Sequence, residues 1–154
     1  MGIDNVVAKQ YRGKVNQAYA RFGDFSMPRN GWLRMVRNAF GMSGTQLANR
    51  LGVTKARISK AEQAELTGGI TLKSMQSMAS AMNCRFVYAL VPEDKIEEII
   101  KKRAFDKEHE QIKSASTQMA LEAQALNDKQ LAFAVDELAS KIIEKMPSDL
   151  WNDE

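Results

Sequence analysis

One cysteine, Cys84, and one histidine, His109, are all that the chain offers toward thiol, imidazole or metal chemistry. A single thiol excludes an internal disulfide, and the pair falls short of a zinc ligand set. Neither residue stands in a nucleophile signature, so Cys84 reads as a buried thiol and His109 as an exposed imidazole. Gly68-Gly69 lacks the Lys-Ser/Thr that would follow in a phosphate-cradling loop. No run of about 18 apolar residues occurs, and the opening MGIDNVVAKQYRGK holds no apolar stretch of signal-peptide type. Gly2 lacks the downstream Ser or Thr of a myristoylation signal. These absences point away from an enzyme, a cofactor, a metal or a membrane, and toward a cytoplasmic protein in which nothing is catalytic. Only three prolines occur, and each marks a break: Pro28 in a connector, Pro92 after an apolar run, Pro147 after a helical one.

Acidic residues are scarce in one place. Residues 32–92 hold eight basic side chains and two acidic ones, whereas residues 93–154 hold nine and fifteen, so a net charge of +3 conceals a basic front and an acidic back. Such a split suggests a face for polyanions joined to a differently employed tail. The 154 residues, 44% hydrophobic, suffice to bury a core.

Apolar residues Ile3, Val6, Val7, Tyr11, Val15, Ala18 and Phe22 recur every three or four positions and predict an amphipathic helix with a basic outer face. Gly23 to Gly31 is a connector. A second helix is expected from Trp32 to Phe40, packing inward through Trp32, Val36, Ala39 and Phe40, with Arg34 and Arg37 largely outside and Gly41 as its stop. Ser43-Gly44-Thr45-Gln46 has capping-box spacing ahead of Leu47, Ala48 and Leu51. Gly52 then stands where the chain must turn sharply, and Thr54 is the expected cap of the next helix.

Helix, glycine turn and helix at this spacing form a helix-turn-helix pattern, with Thr54 to Gln63 as the element expected in a DNA major groove. With Ile58 facing the core, Ala56, Ser59, Lys60 and Gln63 point away from it. Lys55, Ala56, Ser59 and Lys60 are the candidates for reading base edges; Ser43, Thr45, Gln46, Thr54 and Arg57 are the candidates for phosphate contacts. Glu62, one turn after Ile58, is assigned to a structural ion pair or cap. Thr71 caps a further helix whose Leu72, Met75, Met78, Ala79 and Met82 read as core.

The period then changes. In Arg85 to Pro92, RFVYALVP, Phe86, Tyr88 and Leu90 alternate with Val87, Ala89 and Val91, which predicts a short strand apolar on both faces. No second strand is evident to pair with it. Pairing of two copies through Phe86, Val87, Tyr88, Ala89 and Leu90 would resolve this as a homodimer; pairing with another protein, or a helical extension, are the alternatives. Beyond Pro92 a helix over Asp94 to Ala104 carries Ile96, Ile99 and Ile100. Two more stripes follow, Ile112, Ala115, Met119, Ala123 and Leu126, then Leu131, Val135, Leu138, Ile142 and Met146, with a break at Asn127-Asp128 and an end at Pro147.

The expected fold is therefore mainly α: a phage-repressor-like helix-turn-helix domain over 32–92 ending in one short β-strand, an N-terminal basic helix and connector over 1–31, and a helical C-terminal extension over 93–154 for dimerisation or partner binding. Trp32 to Pro92, especially MSGTQLANRLGVT, ITLKSMQ and RFVYALVPED, resembles the bacterial mobile mystery protein A group. That resemblance implies a phage-repressor-like regulator, encoded beside a Fic-domain protein in a pair that looks like a toxin and antitoxin system. It points to Lys55, Ala56 and Lys60 as base readers and Arg57 as a phosphate contact on a double-stranded operator. Gly44 departs from the pattern, standing where such repressors often carry a phosphate-touching glutamine, with Thr45 or Gln46 as substitutes. A repressor of its own operon is the implied role; an adaptor or antitoxin acting through its C-terminal helices is the alternative.

Overall fold

A computed structural model of the chain describes residues 3–114 and 128–153. Seven helices occur among them: α1 Ile3–Phe22, α2 Trp32–Ala39, α3 Gly44–Leu51, α4 Lys55–Thr67, α5 Leu72–Ala81, α6 Ile96–Ser114 and α7 Asp128–Lys145. The chain is thus mainly α, as its periodicity predicts. It divides into two compact units, Asp24–Ala89 and Met1–Gly23 with Leu90–Glu154.

The unit Asp24–Ala89 holds α2 to α5 around Leu33, Leu47, Ala48, Ile58, Met75, Met78 and Met82, with Val36, Leu51, Val53, Ala61 and Phe86 packed against them. Leu47 has no exposed surface; burying a side chain of that size contributes roughly 2 kcal/mol. The expected caps form. Ser43 Oγ accepts from the Gln46 N–H at 3.1 Å while Gln46 Oε1 accepts from the Ser43 N–H at 2.7 Å, a complete capping box. Gly52 takes φ 66°, and residues 52–54 alone join α3 to α4. Thr54 and Thr71 cap α4 and α5 through their hydroxyls. The methionines are core as expected, although Leu72 is half exposed.

Two expectations for this unit are corrected. The inward face of α2 is Leu33, Val36 and Arg37, not Trp32, Val36, Ala39 and Phe40: Leu33 is 2% exposed, Ala39 is exposed and Phe40 is 58% exposed. Leu33 and Arg37 lie one turn apart on one side, so the helix is rotated from the orientation its aromatic residues suggested. The strand predicted over Arg85 to Pro92 does not form: that stretch, including Phe86, Val87, Tyr88, Ala89 and Leu90, is neither helix nor strand. A strand exists only through its ladder, and no segment described in this chain lies beside this one to complete it.

The second unit contains α1, α6 and α7. Its centre is Ile100, Ala104 and Leu150, with Ile96, Ile142, Ile143 and Met146 against them. Asn16 of α1 supplies the start of α6: its Oδ1 accepts from the Ile96 N–H at 2.9 Å and its Nδ2 donates to Glu97 at 2.7 Å. Arg103 donates to the carbonyls of Leu150 and Asn152 and to Asp153, which fastens the chain after α7 onto α6. Helix α6 runs ten residues past the expected end at Ala104, to Ser114. Ala115, Met119, Ala123, Leu126 and Asn127 lie outside the described residues, as do the side chains of His109, Ile112, Leu131 and Val135. No helix among the described residues is long and apolar enough to cross a membrane.

Candidate nucleic-acid interface

Helix α4 turns one side inward and leaves the other open. Ile58 is 2% exposed and Glu62 8%, while Lys55, Ala56, Arg57, Ser59 and Lys60 are all exposed. Lys55 with Ser59, and Ala56 with Lys60, are one turn apart and share the outward surface. The start of α3 lies beside this face, because a β-carbon on Gly44 would stand 3.8 Å from Lys55 Cγ. Ser43, Thr45, Gln46 and Thr54 are exposed as well, so both candidate sets occupy the starts of two adjoining helices.

Those helix starts are positive ends of backbone dipoles, and neither α3 nor α4 has an acidic residue in its first turn to offset them. The capping geometry also decides what each side chain has left to offer. Gln46 Oε1 is engaged by the Ser43 N–H and the Thr54 hydroxyl oxygen accepts from the Arg57 N–H at 3.3 Å. The Gln46 amide N–H groups and the Thr54 hydroxyl proton remain as donors, the polarity that a phosphate oxygen requires.

Both acidic side chains of residues 32–92 are held internally. Arg37 donates through Nε and Nη2 to the two oxygens of Glu62 at 2.7 and 3.2 Å and through Nη1 to the Met42 carbonyl at 2.9 Å. Arg34 adds a longer contact to Glu62 at 3.7 Å. Glu62 is thus in the structural ion pair assigned to it, but Arg37, expected outside, is its partner. The Glu65 carboxylate accepts from the N–H groups of Trp32 and Leu33 at 2.7 and 3.0 Å and so caps α2 from α4. With these anions engaged, the outward surface of α4 presents cations and small polar groups alone. Arg50, read as a solvated cation, donates from Nε to the Ala81 carbonyl at 2.6 Å and holds the end of α5.

Sequence reading missed Glu65 and Arg37 as a pair of anchors. Their only signal is scarcity: with two acids among eight bases, each acid has a choice of internal partners, and spacing does not identify which it takes. Cys84 is half-buried and donates to the Met82 carbonyl.

No curated protein and no solved structure matches the chain. Residues 33–88 match the family model described as Helix-turn-helix, a span that takes in α2 to α5 and runs to Tyr88. That stretch of the chain is accordingly a helix-turn-helix domain of the kind that binds DNA in gene regulators.

Proposed function

We propose that this protein is a sequence-specific DNA-binding transcriptional regulator that places α4 in the major groove of its operator and represses its own operon. The observation that carries this reading is the exposed, acid-free face of α4 beside the uncompensated start of α3. Lys55, Ala56, Ser59 and Lys60 read base edges; Ser43, Thr45, Gln46, Thr54 and Arg57 hold phosphates and set the register. A good base contact is worth about 1 to 3 kcal/mol of discrimination. Titration of the upstream DNA and of random DNA at one salt concentration tests the assignment. Lys60→Ala weakens operator binding more than random-DNA binding, and Arg57→Ala weakens both alike. Equal losses for Lys60→Ala on the two DNAs overturn its role in base reading.

A partner role follows from the resemblance to the mobile mystery protein A group, with a Fic-domain protein encoded nearby as the partner and this chain as its antitoxin. Exposed rings in the second unit, Tyr11, Phe133 and Trp151, support a protein-binding surface there. Co-purification of the neighbouring gene product with the wild type, lost in Phe133→Glu with Trp151→Glu while DNA binding persists, is the expected result. Unchanged co-purification removes these rings from the interface.

A further inference from the structure

The segment from Arg85 to Val91 is unsatisfied in two ways at once. Val87, Tyr88 and Leu90 are 65%, 67% and 89% exposed. Among the described residues, none of the N–H groups from Arg85 to Val91 donates a hydrogen bond to backbone or side chain. The period-two pattern is nevertheless present at its start, where Cys84 and Phe86 are half-buried against the core and Arg85 and Val87 are exposed. The chain is therefore prepared for a ladder that it does not contain.

We propose that this segment pairs with the same segment of a second copy, antiparallel about Ala89, to form a two-stranded ribbon on a two-fold axis. This adds a second copy of the chain to the DNA-binding reading and is measured without DNA, so either can fail alone.

Charge complementarity selects both the occupant and the register. Pairing about Ala89 sets Arg85 opposite Glu93 of the second copy, twice by symmetry. Both side chains are exposed and neither forms an ion pair among the described residues. In the same register Val87 faces Val91 and Tyr88 faces Leu90, so the exposed apolar groups cover one another. Centring on Leu90 instead would oppose Arg85 with Lys95, and centring on Tyr88 would leave Glu93 opposite Asn83.

Pro92 is an independent constraint. Residues of an antiparallel strand alternate between hydrogen-bonded and non-hydrogen-bonded pairs, and a proline has no N–H for the former. Pro92 must then occupy a non-hydrogen-bonded pair, opposite Phe86, together with the Tyr88–Leu90 pairs. The inward donors become Arg85, Val87, Ala89, Val91 and Glu93, all of which have an N–H. The missing donor falls on the outer edge, where the ladder needs none.

The full chain, free of DNA, is examined by sedimentation equilibrium. The wild type is expected at twice its chain mass at micromolar concentration. Arg85→Glu and Glu93→Arg should each raise the dissociation constant by about tenfold or more, from two symmetric pairs turned repulsive, and the double variant should return it toward the wild type. Circular dichroism verifies that each variant keeps its helices. In a Cys84→Ser background, Ala89→Cys should oxidise to a covalent dimer in preference to Tyr88→Cys or Leu90→Cys, because only position 89 faces itself. A monomeric wild type overturns the proposal, as does a double variant no stronger than either single one, or cross-linking strongest at position 88 or 90.

Discussion

Arg37 and Glu62 meet through two hydrogen bonds of 2.7 and 3.2 Å with both side chains almost wholly removed from water. The pair ties α2 to the inward side of α4, and so fixes how α4 is rotated about its axis. Two charges in such a position are expensive to desolvate, so the pair adds little stability over an apolar one, whereas removal of one partner strands the other. Arg37→Ala or Glu62→Ala should cost about 3 kcal/mol by urea unfolding, and Arg37→Met with Glu62→Leu should recover most of that loss. If the single variants lose no more than an exposed ion pair would, about 0.5 kcal/mol, the buried pairing is not what holds the two helices together.

Glu65 substitutes for a cap that α2 lacks. Gly31, at the cap position, has no side chain, adopts φ 77° and lies so close to the carboxylate that a β-carbon would stand 2.8 Å from Glu65 Oε2. Glu65→Ala leaves two backbone N–H groups without their charged acceptor and should cost about 2 kcal/mol. Gly31→Ala should cost more than about 1 kcal/mol from its backbone conformation alone. It also displaces Glu65, so its cost should be smaller in a Glu65→Ala background than in the wild type. Simple additivity in that double-mutant cycle would mean that glycine is present at position 31 for its φ and not for the approach of the carboxylate.

What was legible in the chain is what neighbouring residues decide among themselves. Ser43, Gly52, Thr54 and Thr71 satisfy or redirect backbone groups within a few residues, and the spacing of Met75, Met78 and Met82 needs only a helix to put them on one side. Arg37, Glu65 and Leu150 were not legible, because each acquires its place from an element far along the chain: α4 for Arg37, α2 for Glu65, α6 for Leu150. The period-two pattern of Arg85 to Pro92 misled for a different reason. It records which side chains suit a ladder, and it carries no information on whether the partner lies in the same chain. For the candidate interface, helical phase was enough to nominate Lys55, Ala56, Ser59 and Lys60 as outward, but the internal engagement of both nearby acids was not readable.

The second unit should respond to pH at both extremes, and in opposite senses. Lys107 hydrogen-bonds Asp149 at 3.0 Å and holds its carboxyl below the ordinary carboxylate value. A lowered folded value means that this contribution is present above the unfolded pKa of about 4 and disappears as pH falls through the folded one. At the other end, the hydrogen bond from Lys101 to Asp136 raises the lysine. Its contribution is present below an unfolded value of about 10 and disappears as pH rises through the folded one. All four groups are near the surface, so the effects are small and fade in salt. Thermal melts of Asp149→Asn should differ from the wild type near neutral pH and converge with it in acid; those of Asp136→Asn should converge in alkali. Differences independent of pH would assign both contacts to packing.

Salt dependence separates the two kinds of cation on the helix-turn-helix unit. Each phosphate neutralised by a cation releases counterions and steepens the fall of log K with log salt by about 0.9. Arg57, exposed at the start of α4, should be worth one such contact, so Arg57→Ala lowers the slope by about 0.9 on operator and random DNA alike. Arg50 is also an exposed cation, but its guanidinium is bonded to the Ala81 carbonyl and serves the end of α5. Arg50→Met should therefore reduce stability by about 1 kcal/mol through the lost hydrogen bond and leave the salt slope nearly unchanged. Binding isotherms at four or five salt concentrations distinguish the two. A slope that drops for Arg50→Met and not for Arg57→Ala would move the phosphate track off α4 and onto the end of α3.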